Sequence, residues 1–242
     1  MTSDNKLSKV IIKKEGDAVM NWQYEYFVDS PGLAKASLNS GSGNVLLDEY
    51  SQEEFEYDMA GNPYRYRLGS SNWNVVTSNK NNQTSQISYA SDNVLPIRGK
   101  APLGSELNIY IDGEKQSYAR PANEEGFAYG ISGYSATKRY HEVKVEAVGE
   151  DSSTTPPSEI RTMQRGSAYV ESTPENFTYD NNGNLTSDGR WTYTWNADNR
   201  LVSLETSTGA ANAGVKREKY EYTYDWIGNK VESKHYEYAN NA

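Results

Sequence analysis

FTYDNNGN, at residues 177–184, is the stretch that decides the fold, because its pattern returns as FEYDMAGN at residues 55–62 and as YTYDWIGN at residues 222–229. The shared pattern is aromatic-x-Tyr-Asp-x-x-Gly-Asn. Aromatic side chains two positions apart lie on one face of an extended strand. The Asp side chain can cap the backbone N–H groups of a turn, and the Gly accepts the positive φ that closes it. The octamer therefore predicts a β-hairpin tip that occurs three times.

Each copy contributes a Tyr that ends the incoming strand, a capping Asp, a Gly and an Asn. These predicted turn residues are Tyr57, Asp58, Gly61, Asn62, Tyr179, Asp180, Gly183, Asn184, Tyr224, Asp225, Gly228 and Asn229. The stretch SNKNNQTSQI at residues 78–87 looks like a degenerate repeat, equivalent to WNADNRLVSL at residues 195–204. One hairpin cannot bury its own face, so repetition predicts hairpins that stack into an extended sheet.

The composition indicates an all-β chain. Only 36% of the 242 residues are hydrophobic, and 20 Tyr and 5 Trp supply much of that fraction. Aromatic rings bury large areas and favour strands. The two helix-tolerant runs, at residues 32–38 and near Ala210, are short, and we expect residues 207–216 (STGAANAGVK) to form a flexible loop.

Charge and cysteine content exclude several classes of protein. A net charge of −9 argues against a nucleic-acid partner, which would require clustered Lys and Arg. The basic run at residues 6–14 instead predicts an edge strand whose lysines discourage pairing. The absence of Cys excludes disulfides and thiolate metal sites. MTSDNKLSK lacks the apolar core of a signal peptide, and no run reaches membrane-spanning length.

The distribution of the repeat motif and of turn signals along the sequence predicts three domains. Residues 1–93 and 166–242 carry the repeats and predict two parts of a YD-repeat β-sheet. Residues 94–165 lack the motif but have closely spaced turn signals, such as Asp112-Gly113, which predict a small β-sandwich.

FTYDNNGNLTSDGRWTYTWNADNRLVSLE, at residues 177–205, resembles the YD repeats of the rearrangement-hotspot (Rhs) proteins. Toxin-complex shell subunits and teneurins share these repeats. The family pattern is a Tyr-Asp-x-x-Gly-Arg/Asn-Leu hairpin followed by an aromatic-Asn-x-x-Asn-Arg-Leu phrase, and both are present, at residues 179–185 and 195–201. The match is specific over the last 75 residues, fair over residues 55–87 and weak before residue 55. VLPIRGKAPLGSELNIYIDG, which begins at Val94, is similar to an immunoglobulin-like module found between such repeats.

The Rhs resemblance implies a structural, non-catalytic function. The family fold is a β-sheet that spirals into a hollow shell, which encloses a toxin domain in bacterial members. The expected partners are therefore further YD repeats of a longer parent chain, other copies of this chain, and an encapsulated toxin. The family's closing Asp-Pro-x-Gly phrase, self-cleaving aspartates and toxin domain are not found, so we expect a fragment or a short relative. The expected location is secreted or cell-surface, within a longer bacterial protein.

Candidate sites of other kinds are few. His141 and His235 have no Ser or Cys partner in a recognisable phrase, so no catalytic, cofactor or metal site is predicted. Calcium at the turns is disfavoured because calcium loops bring several carboxylates together, whereas each turn offers one. The alternative function is adhesion or carbohydrate binding, in which exposed rings stack against sugars. The candidate stacking residues are Trp226, Trp191 and Trp195.

Overall fold

The computed structural model describes residues 7–14, 17–28, 32–41, 46, 51–118, 125–132 and 139–238. Within these residues the chain forms twenty β-strands and one short helix. Successive strands of its meanders pair in antiparallel fashion. The prediction of an all-β fold is confirmed.

The strands are β1 (Lys9–Lys14), β2 (Asp17–Tyr26), β3 (Leu33–Ser40), β4 (Gln52–Tyr57), β5 (Pro63–Leu68), β6 (Asn74–Ser78), β7 (Thr84–Ser88), β8 (Val94–Lys100), β9 (Glu106–Ile111), β10 (Glu114–Lys115), β11 (Gly126–Ser132), β12 (Tyr140–Asp151), β13 (Ser158–Tyr169), β14 (Glu175–Asn176), β15 (Thr178–Tyr179), β16 (Leu185–Ser187), β17 (Trp191–Trp195), β18 (Leu201–Thr206), β19 (Arg217–Tyr224) and β20 (Lys230–Tyr238). The helix is α1 (Thr208–Asn212).

The chain divides into two compact units. The first comprises Met1–Val75, Ala90–Gly133 and His141–Ala168, and the second comprises Val76–Tyr89, Tyr134–Tyr140 and Tyr169–Ala242. The three domains predicted from sequence texture, at residues 1–93, 94–165 and 166–242, stay a prediction.

In the first unit, β1 to β5 and the start of β6 form a meander in chain order. The basic strand β1 lies at its edge, as the lysines predict. Glu54 lies opposite Arg67 and Glu56 opposite Arg65 across β4 and β5, with N–O distances of 2.6 and 2.7 Å. Both guanidinium groups also lie over the Trp73 ring, at 4.7 Å for Arg65 and 4.6 Å for Arg67. These cross-strand pairs favour one register.

The first unit also contains two smaller sheets. β8 pairs with β11, and β10, β9, β12 and β13 form a four-stranded sheet in that order. Leu107, Ile109 and Phe127 are buried in one apolar cluster between strands of the two sheets. The predicted turn at Asp112-Gly113 joins β9 to β10, and both residues have positive φ, 54° and 86°.

In the second unit, β15 to β20 form a six-stranded meander. The end of β6, together with β7 and β14, belongs to the same unit. Side chains of β17 alternate: Trp191 and Tyr193 are half-buried, whereas Thr192 and Thr194 are exposed. β20 lies at one edge of the six-stranded sheet, and each of its residues is exposed.

The predicted flexible loop at residues 207–216 contains α1 instead, so that prediction is wrong. Ser207 caps the helix by accepting a hydrogen bond from the N–H of Ala210. Ala210 is fully buried and Val215 is 4% exposed, so two apolar side chains anchor the segment. In the described part of the chain, no helix is long and apolar enough to cross a bilayer.

Candidate functional site

The three repeat tips share one hydrogen-bond pattern. Their Asp-Asn pairs are Asp58 with Asn62, Asp180 with Asn184, and Asp225 with Asn229. In each tip the Asp N–H donates to the Asn carbonyl at 2.8–2.9 Å. The Asp Oδ1 accepts two backbone N–H groups at 2.8–3.0 Å, and Oδ2 accepts the Asn side-chain amide at 2.9–3.1 Å. One carboxylate therefore satisfies most of the polar groups of its turn.

The glycine of each tip has a positive φ: 86° at Gly61, 88° at Gly183 and 96° at Gly228. Its N–H donates to the carbonyl of the capping Asp at 3.0–3.1 Å. A side chain at this φ is strained, which explains why the pattern needs Gly.

Two further turns have the same geometry with Asn as the capping residue. Asn79 Oδ1 accepts the N–H groups of Asn81 and Gln83, at 2.9 and 3.1 Å. Asn196 does the same in the phrase at residues 195–204, and its Oδ1 accepts two backbone N–H groups at 3.0 and 2.9 Å. Asn82 and Asn199 take the place of Gly, with φ of 58° and 56°. Asn adopts positive φ more readily than most residues do, so the turn geometry is kept at two sites that lack the Tyr-Asp motif.

The carboxylate oxygens of the capping Asp residues are used by their own turns, whereas calcium requires several oxygen ligands at one site. Hydrogen bonds from Asn62 lower the pKa of Asp58, and those from Asn184 lower the pKa of Asp180, so both groups are ionised acceptors. Among the described residues, none of the three turns belongs to a cluster of three possible metal ligands. These geometries fit turn capping.

The three tryptophans proposed to stack on ligands lie in different environments. Trp226, at the third tip, is 92% exposed. Trp195 is half-buried and its Nε1 donates to the carbonyl of Leu185 at 2.7 Å. Trp191 is half-buried and meets Tyr220 edge-on, with ring centroids 6.1 Å apart. Only Trp226 of the three offers an open ring to a ligand.

Sequence reasoning missed a cluster of three carboxyl groups in the second unit, formed by Glu171, Glu175 and Asp188. Glu175 is 7% exposed and accepts a hydrogen bond from the Tyr89 hydroxyl. Asp188 Oδ1 caps a turn, and its Oδ2 accepts the Tyr193 hydroxyl at 2.7 Å. No sequence motif spans the cluster, because Asp188 comes from the β16–β17 turn.

Glu171 is the unusual member of the cluster. Its Oε2 is buried and has no hydrogen-bond partner within the described residues. Gly189 lies against it, and a Cβ there would come within 2.1 Å of Oε2. Burial raises the pKa of the Glu171 carboxyl to about 8, and the charges of Glu175 and Asp188 act in the same direction. Glu171 is therefore largely protonated at neutral pH.

The second unit also has a polar groove of about 590 Å³ beside α1. Its lining includes Thr192, Glu205, Ser207, Asn212 and Arg217. None of the three candidate tryptophans lines this groove. Among the described residues that line the groove, Glu205 is the one carboxylate.

Each of the two histidines contacts a neighbouring side chain. His141 Nδ1 lies 2.8 Å from Asp112 Oδ2, which links β12 to the β9–β10 turn. The Nε2 atom of His141 is buried and has no hydrogen-bond partner among the described residues. His235 stacks on Tyr220 with ring centroids 4.3 Å apart.

Comparison with known proteins gives distant, partial relatives. No protein-family model matches the chain. It is 25% identical over 202 residues to the tRNA3(Ser)-specific nuclease WapA of Bacillus spizizenii, a match that covers 77% of this chain and 8% of that protein. The tRNA nuclease WapA of Bacillus subtilis strain 168 is 24% identical over 202 residues, and this match also covers 77% of this chain and 8% of that protein. A shorter match, 40% identical over 58 residues, is to the tRNA(Glu)-specific nuclease WapA of Bacillus subtilis subsp. natto, covering 24% of this chain and 2% of that protein.

The chain thus spans less than a tenth of the curated relatives it matches. Among solved structures, the crystal structure of TcdB2-TccC3-Cdc42 covers 90% of this chain, and the match spans 10% of that chain, with a TM-score of 0.31 and 13% identity. The crystal structure of TcdB2-TccC3-TEV covers 89% of this chain and 10% of its own, with a TM-score of 0.29 and 15% identity.

Proposed function

We propose that this chain is a structural, non-catalytic segment of an Rhs/YD-repeat shell in a bacterial polymorphic-toxin or effector-delivery protein. The observation that carries the proposal is the set of five hairpin turns with one hydrogen-bond pattern. Hairpins repeated in this way stack into a continuous β-sheet, which would form the wall of the shell. The sequence similarity to a small part of the WapA nucleases supports it. In this proposal the nuclease activity of those relatives belongs to parts that this chain does not match.

The partner in this proposal is the next hairpin of a longer chain, and the cargo is an enclosed toxin domain. β20 lies at the edge of its sheet and is exposed along its length, so it offers backbone groups for a further strand. The immunoglobulin-like module predicted at residues 94–165 would interrupt the wall as an insert. The whole protein would act in secreted or surface-bound form.

Hydrogen exchange on the product of the native gene tests this proposal. We expect the β20 amides that point away from β19 to exchange slowly in the full product and fast in this chain alone, because only the former supplies a second neighbouring strand. The amides of β17 serve as the internal control, since β16 and β18 flank that strand in both samples. Equal exchange of β20 in the two samples, or a native product without further strands, would contradict the shell proposal.

A carbohydrate-binding or adhesion module is the second candidate, favoured by the 92% exposure of Trp226. A glycan array probed with the wild type and with Trp226→Ala tests it. Met59→Ala is the matched control, since Met59 occupies the same turn position and is also fully exposed. Glycan binding lost only in Trp226→Ala would favour this candidate. Binding that is absent, or unaffected by Trp226→Ala, would exclude this ring as a sugar platform.

A further inference from the structure

The hairpin of β19 and β20 brings three side chains of types that can bind metal ions together on one face. Glu218 lies directly opposite Glu237, and Tyr220 lies opposite His235. Residues two apart on a strand share a face, so all four side chains project from the same side of the ribbon. Glu218 lies near the start of β19, whereas His235 and Glu237 lie near the end of β20. The spacing of these residues in the sequence therefore does not reveal the cluster.

The separations fit a single metal ion. One ligand atom from each of Glu218, His235 and Glu237 lies within 4.8 Å of the others. The His235 Nε2 is 3.8 Å from Glu218 Oε1. Ligand atoms about 2.0–2.2 Å from a tetrahedral Zn²⁺ lie roughly 3.4 Å apart, so side-chain rotations suffice to close the site.

The imidazole is already oriented for this role. Its ring stacks on Tyr220, with an interplanar angle of 5° and centroids 4.3 Å apart. The side chains of His235 and Glu218 are 39% and 22% exposed, so an ion can reach them from solvent and keep bound water. The stack reduces the freedom that metal binding would otherwise have to remove.

Lys216 is the present partner of one ligand, because its ammonium group forms an ion pair with Glu237. Both side chains are about half exposed, at 51% and 53%, and exposed pairs of this kind are weak. A divalent cation would displace the lysine from the carboxylate.

We propose that Glu218, His235 and Glu237 form a binding site for a divalent transition-metal ion, Zn²⁺ in the first instance, with water completing its coordination. Imidazole favours zinc-like ions, whereas Mg²⁺ and Ca²⁺ prefer oxygen ligands alone. The site lies within one hairpin and needs no neighbouring strand, so it is independent of the shell proposal.

Calorimetric titration of the tag-free chain with ZnCl₂, repeated with MgCl₂ and CaCl₂, measures the affinity. We expect one zinc site, with weaker magnesium and calcium binding. His235→Asn and Glu237→Gln each lower the zinc affinity by about 10-fold or more. Lys216→Ala raises the affinity because it frees Glu237. Glu232→Gln is the matched control, since it removes the same charge from the opposite face of β20 and leaves the affinity unchanged.

The two imidazoles give a second readout, by nuclear magnetic resonance. Zinc should shift or broaden the ring signals of His235 and leave those of the buried His141 in place. The His141 signals come from the other unit, so they serve as an internal reference for the response to zinc. Circular dichroism checks that the β-sheets of each variant remain folded. The proposal is overturned if zinc binding survives both ligand substitutions, if magnesium binds as tightly, or if only the His141 signals respond.

Discussion

One residue at each hairpin tip sets the path of the backbone. In the Asp-capped tips the carboxylate accepts two backbone N–H groups, and in the other two turns an Asn amide oxygen does the same. A residue with positive φ then closes each turn. Because the contacts are local, five short stretches of sequence can specify five turns independently of their surroundings.

The need for positive φ can be isolated at Gly61. A Cβ at Gly61 would meet no atom within 4 Å, and the same holds for Gly149, which lacks a positive φ. We predict that Gly61→Ala lowers the free energy of unfolding by about 1 kcal/mol, the usual cost of a left-handed alanine. Gly149→Ala should leave it unchanged or raise it. Urea denaturation measures both, and equal effects would show that φ does not matter at the tip.

The capping role can be tested at Asp180. Since Asn79 and Asn196 cap equivalent turns, Asp180→Asn should keep most of the thermal stability of the second unit, whereas Asp180→Ala should lower its melting temperature. Circular dichroism follows the melting of both variants. Equal loss in the two variants would indicate that the charge, and not the acceptor oxygen, is what the turn requires.

The raised pKa of Glu171 predicts a pH dependence of stability. The ordinary value is 4.5 and the folded value is about 8, so the unfolded chain releases this proton first as the pH rises. The stabilisation is complete below about pH 4.5 and is lost as the pH rises to about 8. After allowance for partial exposure, we expect a loss of about 1–2 kcal/mol across this window.

Glu171→Gln removes the titrating group, so this variant should lose less stability between pH 5 and pH 8 than the wild type. Urea midpoints at the two pH values provide the measurement. Glu232→Gln, at an exposed position on β20, should follow the wild-type curve. A Glu171→Gln curve that is parallel to the wild type would mean that Glu171 is ionised in the folded state.

Among the strands, β20 has the most consequence because its outer edge is exposed. β20 has Val231 at 61% exposure and follows a tip where Trp226 and Ile227 are 92% and 59% exposed. Unpaired edges of this kind template further strands. We predict concentration-dependent self-association of the isolated chain in sedimentation velocity, and weaker association for Val231→Lys, because an edge lysine opposes pairing. A monomer at all concentrations would contradict the prediction.

Features formed by residues close together in the sequence could be predicted, whereas features that join distant residues could not. The turn at Asp112-Gly113 and the three tips follow from residues that touch their own neighbours in the chain. The small, polar run at residues 207–216 predicts a loop, and the structure has helix α1 there because Ser207 supplies a cap. The clusters around Glu171 and His235 could not be found, since each joins residues from separate strands or turns.

A segment of a shell wall and a self-contained module differ in what lies beside their edge strands. The meanders of the two units each end in an edge strand, β1 in the first and β20 in the second. A segment of a wall has these edges covered by further repeats, whereas a self-contained module must leave them open or pair them with other molecules.

The intact mass of the native polypeptide, measured by mass spectrometry on protein from its source, tests the shell proposal most directly. We predict a product several times longer than these 242 residues, with further YD repeats and a toxin domain. A native product that ends near Ala242 would contradict the shell proposal and would make ligand binding the leading hypothesis.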